Sequence, residues 1–323
     1  MKALLLIKPG DDYALAIADV PAPTPGPGEV RLRVHASSIN PVDHKFARSG
    51  SGLALPHVLG IDAAGEIDAL GPEVQGWRLG DRVMALTNLY RWGGFAEYVI
   101  VDARVLSRLP EALPFEQAAA IPCAGLTAWQ AVHLKLNLRP GQTVLVSGAG
   151  GGVGGYVVQM ARRQGARVIG TTARSGQRVL ALGAEAVIDH RQGDVVAQAM
   201  ALTHGRGVDA VIDLVSASSA TSLLPLLRHN GAIACVVGRP KDADLPAWGK
   251  AISVHDVALG FAYEHGDGEN LRDIGRAGET VAFWVSNAGL DPQIARVISL
   301  AEAPAALRDT GAGLNQGKVV IRV

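Results

Sequence analysis

Residues 143 to 172 read TVLVSGAGGGVGGYVVQMARRQGARVIGTT, and no other stretch constrains the fold as strongly. A β-branched run (Thr143, Val144, Val146) enters a glycine cluster, a helix-period segment follows and stops at Gly165, and a second β-run occupies Arg167–Thr171. Strand, tight turn, helix and parallel strand make one βαβ unit. Glycine suits the turn because no Cβ keeps the backbone from a pyrophosphate, and a helix starting near Val153 aims unpaired N–H groups at that anion. The expected cradle is Gly150, Gly151, Gly152, Val153 and Gly154, with Gly150, Gly152 and Gly155 as one register of a GxGxxG pattern. A glycine-rich turn in an ordinary α/β domain is the bland alternative. Strand-like runs at 186–189, 208–214 and 232–237, with helix-length segments between them, favour a doubly wound parallel sheet instead. Gly238, directly after the last run, joins the expected cofactor-binding set.

The N-terminal third is β-rich. Runs at 1–7 and 12–20 read as strands and 21–27 as a rigid proline-rich connector, while 29–37 alternates with period two through Val30, Leu32 and Val34. More strands are expected at 63–70, 82–86 and 95–101. Segment 114–131 reads as helix interrupted at Pro122 and Gly125, and 252–258 as the last strand of the central sheet. The tail offers helices at 270–287 and 303–310 and a closing strand at 318–323. A nucleotide-binding segment set between two β-rich segments predicts a cleft at their junction.

Composition excludes several function classes. Lysine plus arginine and aspartate plus glutamate number 30 each, so the formal net charge is zero. A dedicated nucleic-acid or anionic-membrane binder needs a long-range attraction that this balance does not supply. The first apolar run is too short for a signal-peptide core, and no run is long enough to span a bilayer. Two cysteines, Cys123 and Cys235, make no disulfide framework, so a reducing cytoplasm is the expected location. At 323 residues there is room for two domains with separate cores.

Several blocks in fixed order then point to a family: SINPVDHK (38–45), LGIDAAGEI (59–67), GDRV (80–83), GGFAEYVIV (93–101), AAAIPCAGLTAW (118–129), GAGGGVG (148–154) and the terminal GKVVIRV. Over essentially its whole length the chain resembles the quinone oxidoreductase group of the medium-chain dehydrogenase/reductase superfamily. The resemblance implies an α/β protein with a GroES-like β-barrel substrate and catalytic domain (1–118 and 259–323) and a Rossmann NADP-binding domain (119–258). It also implies NADPH dependence, a small carbonyl or quinone substrate and a homodimer. Zinc enzymes of the superfamily carry a cysteine where this chain has Asn40 and a His-Glu pair where it has Ile61 and Asp62. Only Cys123 falls where a third ligand lies, and asparagine and isoleucine do not replace a thiolate and an imidazole. A zinc-independent site is expected, with Cys123 as a small buried residue.

NAD-specific folds place an acidic residue at the end of the second strand. Here Thr171 and Thr172 stand at that place, followed by Ala173, Arg174, Ser175 and Arg178. Guanidinium groups pair with a 2′-phosphate bidentately, so Thr172, Arg174, Ser175 and Arg178 are expected to select NADPH. By resemblance, Asn40 and Thr127 lie beside the nicotinamide and the substrate. Asn40 is expected to donate an amide hydrogen bond to a carbonyl oxygen as charge develops there. Lys45 is a candidate to stabilise an enolate or supply a proton, with a solvent-facing role as its alternative. Asp43, in the same loop, suits turn capping as well as catalysis. Segments 44–56, 86–92 and 261–270 are expected to line the substrate pocket, where Trp92, Tyr263 and His265 either stack on a flat quinone or simply pack. Loop 49–55 lacks the tyrosine that many quinone reductases place there, which favours enones over quinones. The expected reaction is NADPH-dependent, zinc-independent hydride transfer to quinones or α,β-unsaturated carbonyls. The alternatives are an enoyl-thioester reductase and, from a different class, a non-catalytic NADPH-binding protein of the crystallin kind.

Overall fold

In chain order the elements are β1 (Lys2–Lys8), β2 (Ala14–Asp19), β3 (Glu29–Ile39), α1 (Pro41–Ser49), β4 (His57–Val58), β5 (Asp62–Leu70), β6 (Arg82–Leu86), β7 (Tyr98–Asp102), β8 (Ser107–Arg108), α2 (Phe115–Ala119) and α3 (Pro122–Trp129). There follow β9 (Thr143–Ser147), α4 (Gly152–Arg163), β10 (Arg167–Thr171), α5 (Gly176–Ala181), β11 (Ala186–Ile188), α6 (Val195–Leu202), β12 (Val208–Asp213), α7 (Ala217–Leu223), β13 (Leu227–Cys235) and β14 (Ser253–Asp256). The tail adds α8 (Ala262–His265), α9 (Gly268–Asn287), β15 (Ile294–Ser299), α10 (Ala303–Gly311) and β16 (Lys318–Arg322). The structure, a computed structural model, describes residues 1–245 and 248–323. They divide into two units, Met1–Leu126 with Gly260–Val323, and Thr127–Leu259.

The first unit is built on a seven-stranded sheet of order β15-β16-β3-β5-β6-β8, with β7 also paired to β3, and a small sheet β2-β1-β4. Pairing is antiparallel except between β15 and β16. β3 alternates buried and accessible positions up to Val34 and is then buried from Ala36 through Ile39. Alternation therefore signals its first half only, and the strand runs on to Ile39 because β16 pairs there, Val319 opposite Ile39 and Ile321 opposite Ser37. Leu4, Leu6, Phe95, Leu307 and Ile321 share the core of this unit.

The second unit is a six-stranded parallel sheet of order β11-β10-β9-β12-β13-β14. The order reverses between β9 and β12, the switch point at which doubly wound sheets bind ligands. Its central strands β9, β10 and β12 are buried on both faces along most of their length.

The sequence expectations need correction at several places. Residues 41–49 form α1 rather than a loop. Asn40 precedes the helix, Pro41 occupies its first position, and the Asp43 carboxylate accepts from the Asn40 N–H at 2.8 Å, the return half of a capping box. Pro122 opens α3 instead of interrupting a helix, and Gly125 sits inside it, with a π-helical turn continuing over Gln130–Lys135. β13 begins at Leu227, earlier than expected, and β15 was not foreseen. The division between the units falls inside α3 rather than at 118, because α2 belongs to the first sheet. There Phe115 stacks on His35 with ring centroids 4.4 Å apart, and Glu116 pairs with Arg322 at 2.8 Å.

Candidate functional site

The glycine turn comes first. After β9 the chain turns through Gly148 (φ +75) and enters α4 at Gly152. The end of β10 anchors the turn: the Ala149 N–H donates to the Thr171 carbonyl at 2.9 Å, and the Gly148 N–H to Thr171 Oγ1 at 3.3 Å. A Cβ on Gly150 would lie 2.6 Å from Thr172 Oγ1, and one on Gly154 would lie 2.4 Å from the Gly148 carbonyl oxygen. These two glycines therefore serve packing. At Gly151 the nearest atom is the Gly148 carbonyl oxygen at 3.5 Å, so this side of the turn has room for a ligand. Gly152, Val153 and Gly154 form the first turn of the twelve-residue α4, whose leading N–H groups suit a pyrophosphate. The cradle thus fits the nicotinamide dinucleotide that the sequence implies.

The loop after β10 carries no carboxylate. Thr172 Oγ1 accepts from the backbone N–H of Ser175 at 3.4 Å and of Arg174 at 3.5 Å. Ser175 is buried at the start of α5, Arg178 lies within that helix, and Arg174 is exposed with no ion pair among the described residues. Gly238 follows β13, and a Cβ there would meet the Ala217 N–H nitrogen at 3.1 Å, so it packs on the start of α7. Sequence reasoning missed Asp213. This buried carboxylate at the end of β12 accepts from the N–H groups of Val215 and Ser216 at 3.0 Å each and from Ser219 Oγ at 2.5 Å. It shapes the turn whose Val215 side chain packs beside Gly148. An aspartate ending a strand before a Ser-x-x-Ser pattern was the available signal.

In the first unit a buried ionic network stands where the sequence places Asn40. Asp62 is fully buried and accepts from the Ser38 hydroxyl, from Asn40 Nδ2 at 2.7 Å and from the Cys123 N–H at 2.7 Å. Lys318, only 3% exposed, donates to Asn40 Oδ1 at 2.5 Å and reaches Asp62 at 3.3 Å. The second Asn40 amide hydrogen goes to the Ser38 carbonyl at 3.2 Å. Both amide hydrogens of Asn40 are thus engaged within the protein, one with Asp62 and one with Ser38. Asp43 is buried and accepts from the N–H groups of Asn40, Gly60 (3.2 Å) and Ile61 (3.1 Å). Burial and the neighbouring Asp62 charge push it up to about 7, against the pull of the Asn40 and Ile61 N–H groups and Lys318. Its position in α1 is that of a cap. Lys45 is exposed on the same helix. Thr127, buried in α3, makes no side-chain hydrogen bond among the described residues. Lys318 is the group that sequence reasoning overlooked; it lies in the terminal GKVVIRV block but was read only as strand.

Zinc does not fit this donor set. Asn40 is consumed, Ile61 offers no donor atom, and burial with the adjacent Asp62 charge pushes the Cys123 thiol well above its ordinary range. Among the described residues, no group of three or more His, Cys, Asp or Glu is placed to hold a metal ion.

The three segments expected to line a substrate pocket come together within the first unit. Phe46 meets Tyr90 edge-on with centroids 5.7 Å apart, and Tyr263 donates to the Leu86 carbonyl at 2.6 Å. His265 stacks on Phe261, and Trp92 packs against the core. A cavity of about 690 Å³ in this unit lies elsewhere, between Trp77, Arg104 and α9, and contains none of these residues. Its arginines 104, 272 and 276 are ion-paired.

Known proteins share this fold. Residues 26–111 match the alcohol dehydrogenase GroES-like domain family and residues 152–260 the zinc-binding dehydrogenase family. The chain is 33% identical to a quinone oxidoreductase from Sus scrofa, over 80% of each protein. An alcohol dehydrogenase superfamily protein from Novosphingobium aromaticivorans superposes with a TM-score of 0.88 at 31% identity, covering 100% of this chain and 99% of that one. A phthioceranic/hydroxyphthioceranic acid synthase from Mycobacterium tuberculosis is 32% identical over 98% of this chain, which spans 15% of that much longer protein.

Proposed function

This chain belongs to the quinone oxidoreductase group of the medium-chain dehydrogenase/reductase superfamily, and from that premise we propose that it transfers hydride from NADPH to quinones or α,β-unsaturated carbonyls without zinc. Membership implies an oxidoreductase with a nicotinamide cofactor and a small-molecule substrate. The finer reading rests on one conjunction: β10 is followed by Thr172 and by an Arg174 with no ion pair among the described residues, rather than by a carboxylate, and Asn40, Asp62 and Lys318 satisfy one another where a metal ligand would stand.

When bound, the nicotinamide supplies the hydride chemistry itself. The protein binds, orients and polarises. The open side of Gly151 and the α4 N–H groups take the pyrophosphate, and Arg174 takes the 2′-phosphate with Thr172, Ser175 and Arg178 around it. Gly238 supports the neighbouring loop. Asn40, fixed by Lys318 and Asp62, is a positioning group, and Asp43 holds the helix that follows it. Thr127 makes no side-chain hydrogen bond among the described residues, so we assign to its hydroxyl the hydrogen bond to the substrate carbonyl. Lys45 is assigned to proton supply. A homodimer belongs to this reading, supported by β14, whose outer edge has no strand partner among the described residues.

A second reading, enoyl-thioester reduction, has one observation in its favour, the match of nearly the whole chain to a segment of the mycobacterial synthase. One experiment separates the two: oxidation of NADPH followed at 340 nm with a benzoquinone, a naphthoquinone, a simple enone, an alkenal, a crotonyl thioester and a saturated aldehyde, each repeated with NADH. Turnover of quinone or enone with NADPH preferred supports the first reading, and turnover of the thioester alone supports the second. Silence with NADPH still bound returns the weight to a non-catalytic role. Stoichiometric zinc with activity lost on chelation would overturn the zinc-free reading.

A further inference from the structure

One charge near the cofactor loop conflicts with NADPH unless something cancels it. β10 and β11 run parallel with Thr171 opposite Ile188, and the Thr172 N–H donates to the Ile188 carbonyl at 3.0 Å. Thr172 and Asp189 therefore leave adjacent strand ends side by side. A free carboxylate there would repel a ribose 2′-phosphate as an acidic residue on β10 itself does.

Arg191 meets that carboxylate. Its Nε lies 3.0 Å from Asp189 Oδ1 and its Nη2 2.7 Å from Oδ2, a two-pronged pair, and its backbone N–H adds a third bond at 3.0 Å. Gln192 contributes another at 3.1 Å. The Nη2 group also donates to the carbonyl of Ala173, in the middle of the loop between Thr172 and Ser175. On its other side, the same loop fills the space beside Gly150, where a Cβ would meet Thr172 Oγ1 at 2.6 Å and Ser175 at 3.0 Å. The loop is thus held between the glycine turn and one guanidinium.

We propose that Arg191 is a specificity-determining positioning residue for NADPH: it neutralises Asp189 beside the 2′-phosphate position and pins the Ala173 carbonyl so that Arg174 faces that position. The proposal rests on the NADPH reading above. It treats Arg191 as a group that acts through Asp189 and the loop rather than as a phosphate ligand. Lysine is a poor substitute, since a single ammonium does not span two carboxylate oxygens and a carbonyl at once. The pair lies at the surface, with the Arg191 side chain 58% and the Asp189 side chain 21% exposed, and pairs open to solvent contribute little to stability, so its removal leaves the fold standing.

The test is a set of dissociation constants for NADPH, NADH and 2′,5′-ADP, measured by calorimetry on the wild-type chain, Arg191→Ala, Arg191→Lys, Asp189→Asn and the Asp189→Asn/Arg191→Ala pair. Arg191→Ala is expected to weaken NADPH and 2′,5′-ADP by about tenfold, the order of one charge-assisted interaction, with NADH changed much less. Arg191→Lys should recover part of the loss, and the double variant most of it, because the carboxylate is gone. An unchanged NADPH:NADH ratio in Arg191→Ala, whether affinity falls for both or for neither, would overturn the proposal. A double variant as weak as Arg191→Ala would overturn the neutralising role. A wild-type chain with no preference for NADPH would end the cofactor reading and this inference with it. A wild-type preference that persists undiminished in Arg191→Ala would end this inference alone.

Discussion

On the reading proposed above, the cofactor phosphates in residues 127–259 meet main-chain N–H groups and an exposed guanidinium from the stretch 143–178; in the other unit the corresponding polar groups are buried side chains that reach one another across the length of the chain. Asn40 and Lys318 are 278 residues apart in sequence and 2.5 Å apart in space. The first arrangement draws on residues contiguous in sequence, grouped at one turn and the loop after the next strand. The second buries its charges and satisfies them internally, since an unpaired buried charge costs far more than an exposed one. One region should therefore answer to mutation through affinity and the other through stability.

Replacing the cation of the buried network is the strongest way to break that contrast. Lys318→Met leaves Asp62 buried without its counter-charge and is expected to destabilise the chain by about 3–5 kcal/mol in urea unfolding, with Lys318→Arg costing less. A loss below about 1 kcal/mol, the level of an exposed pair, would mean the network is not held by charge. Gly151→Val probes the opposite case. Its new Cβ meets only the Gly148 carbonyl oxygen at 3.5 Å, so stability should change little while NADPH binds about a hundredfold more weakly, as expected when two charge-assisted hydrogen bonds go. Unchanged affinity would show that the pyrophosphate lies elsewhere.

Smaller effects sharpen the comparison. Arg174→Ala should lower NADPH affinity by roughly 1.5–3 kcal/mol and leave NADH nearly untouched, and equal losses would remove Arg174 from phosphate recognition. Asp43 gives a pH signature. Its folded value of about 7 lies above the ordinary carboxylate value near 4, so the native state holds this proton more tightly than the unfolded chain does. The stability it contributes is complete below about pH 4 and is lost as the pH rises to about 7. Unfolding free energies of the wild-type chain relative to Asp43→Asn should accordingly fall between those pH values; a constant or rising difference would contradict the raised value.

How much of this could be read from residues alone follows from the same contrast. The βαβ unit around Gly150 was legible because strand, turn and helix are contiguous and glycine's role at the turn is local. The parallel sheet followed from repeated strand-length runs between helix-length segments. Helix α1 was read as a loop around Asn40 and Asp43 although Asn40, Pro41 and Asp43 spell a helix start. The commitment of Asn40 to Asp62 and Lys318 was beyond reach. A lysine in a closing strand looks like an edge charge until the fold shows that β16 lies between β15 and β3 and points that ammonium inward.

That placement has a consequence in time as well as in space. Asp62 leaves the ribosome 256 residues before Lys318, which at typical elongation rates is roughly 10–50 s. Throughout that interval the parallel-sheet unit emerges in full and is free to fold, while β3 waits for the strand that will cover its inner edge. The nascent chain therefore carries an acidic half-site whose counter-ion has not yet been synthesised, and sealing of the first unit waits for β16.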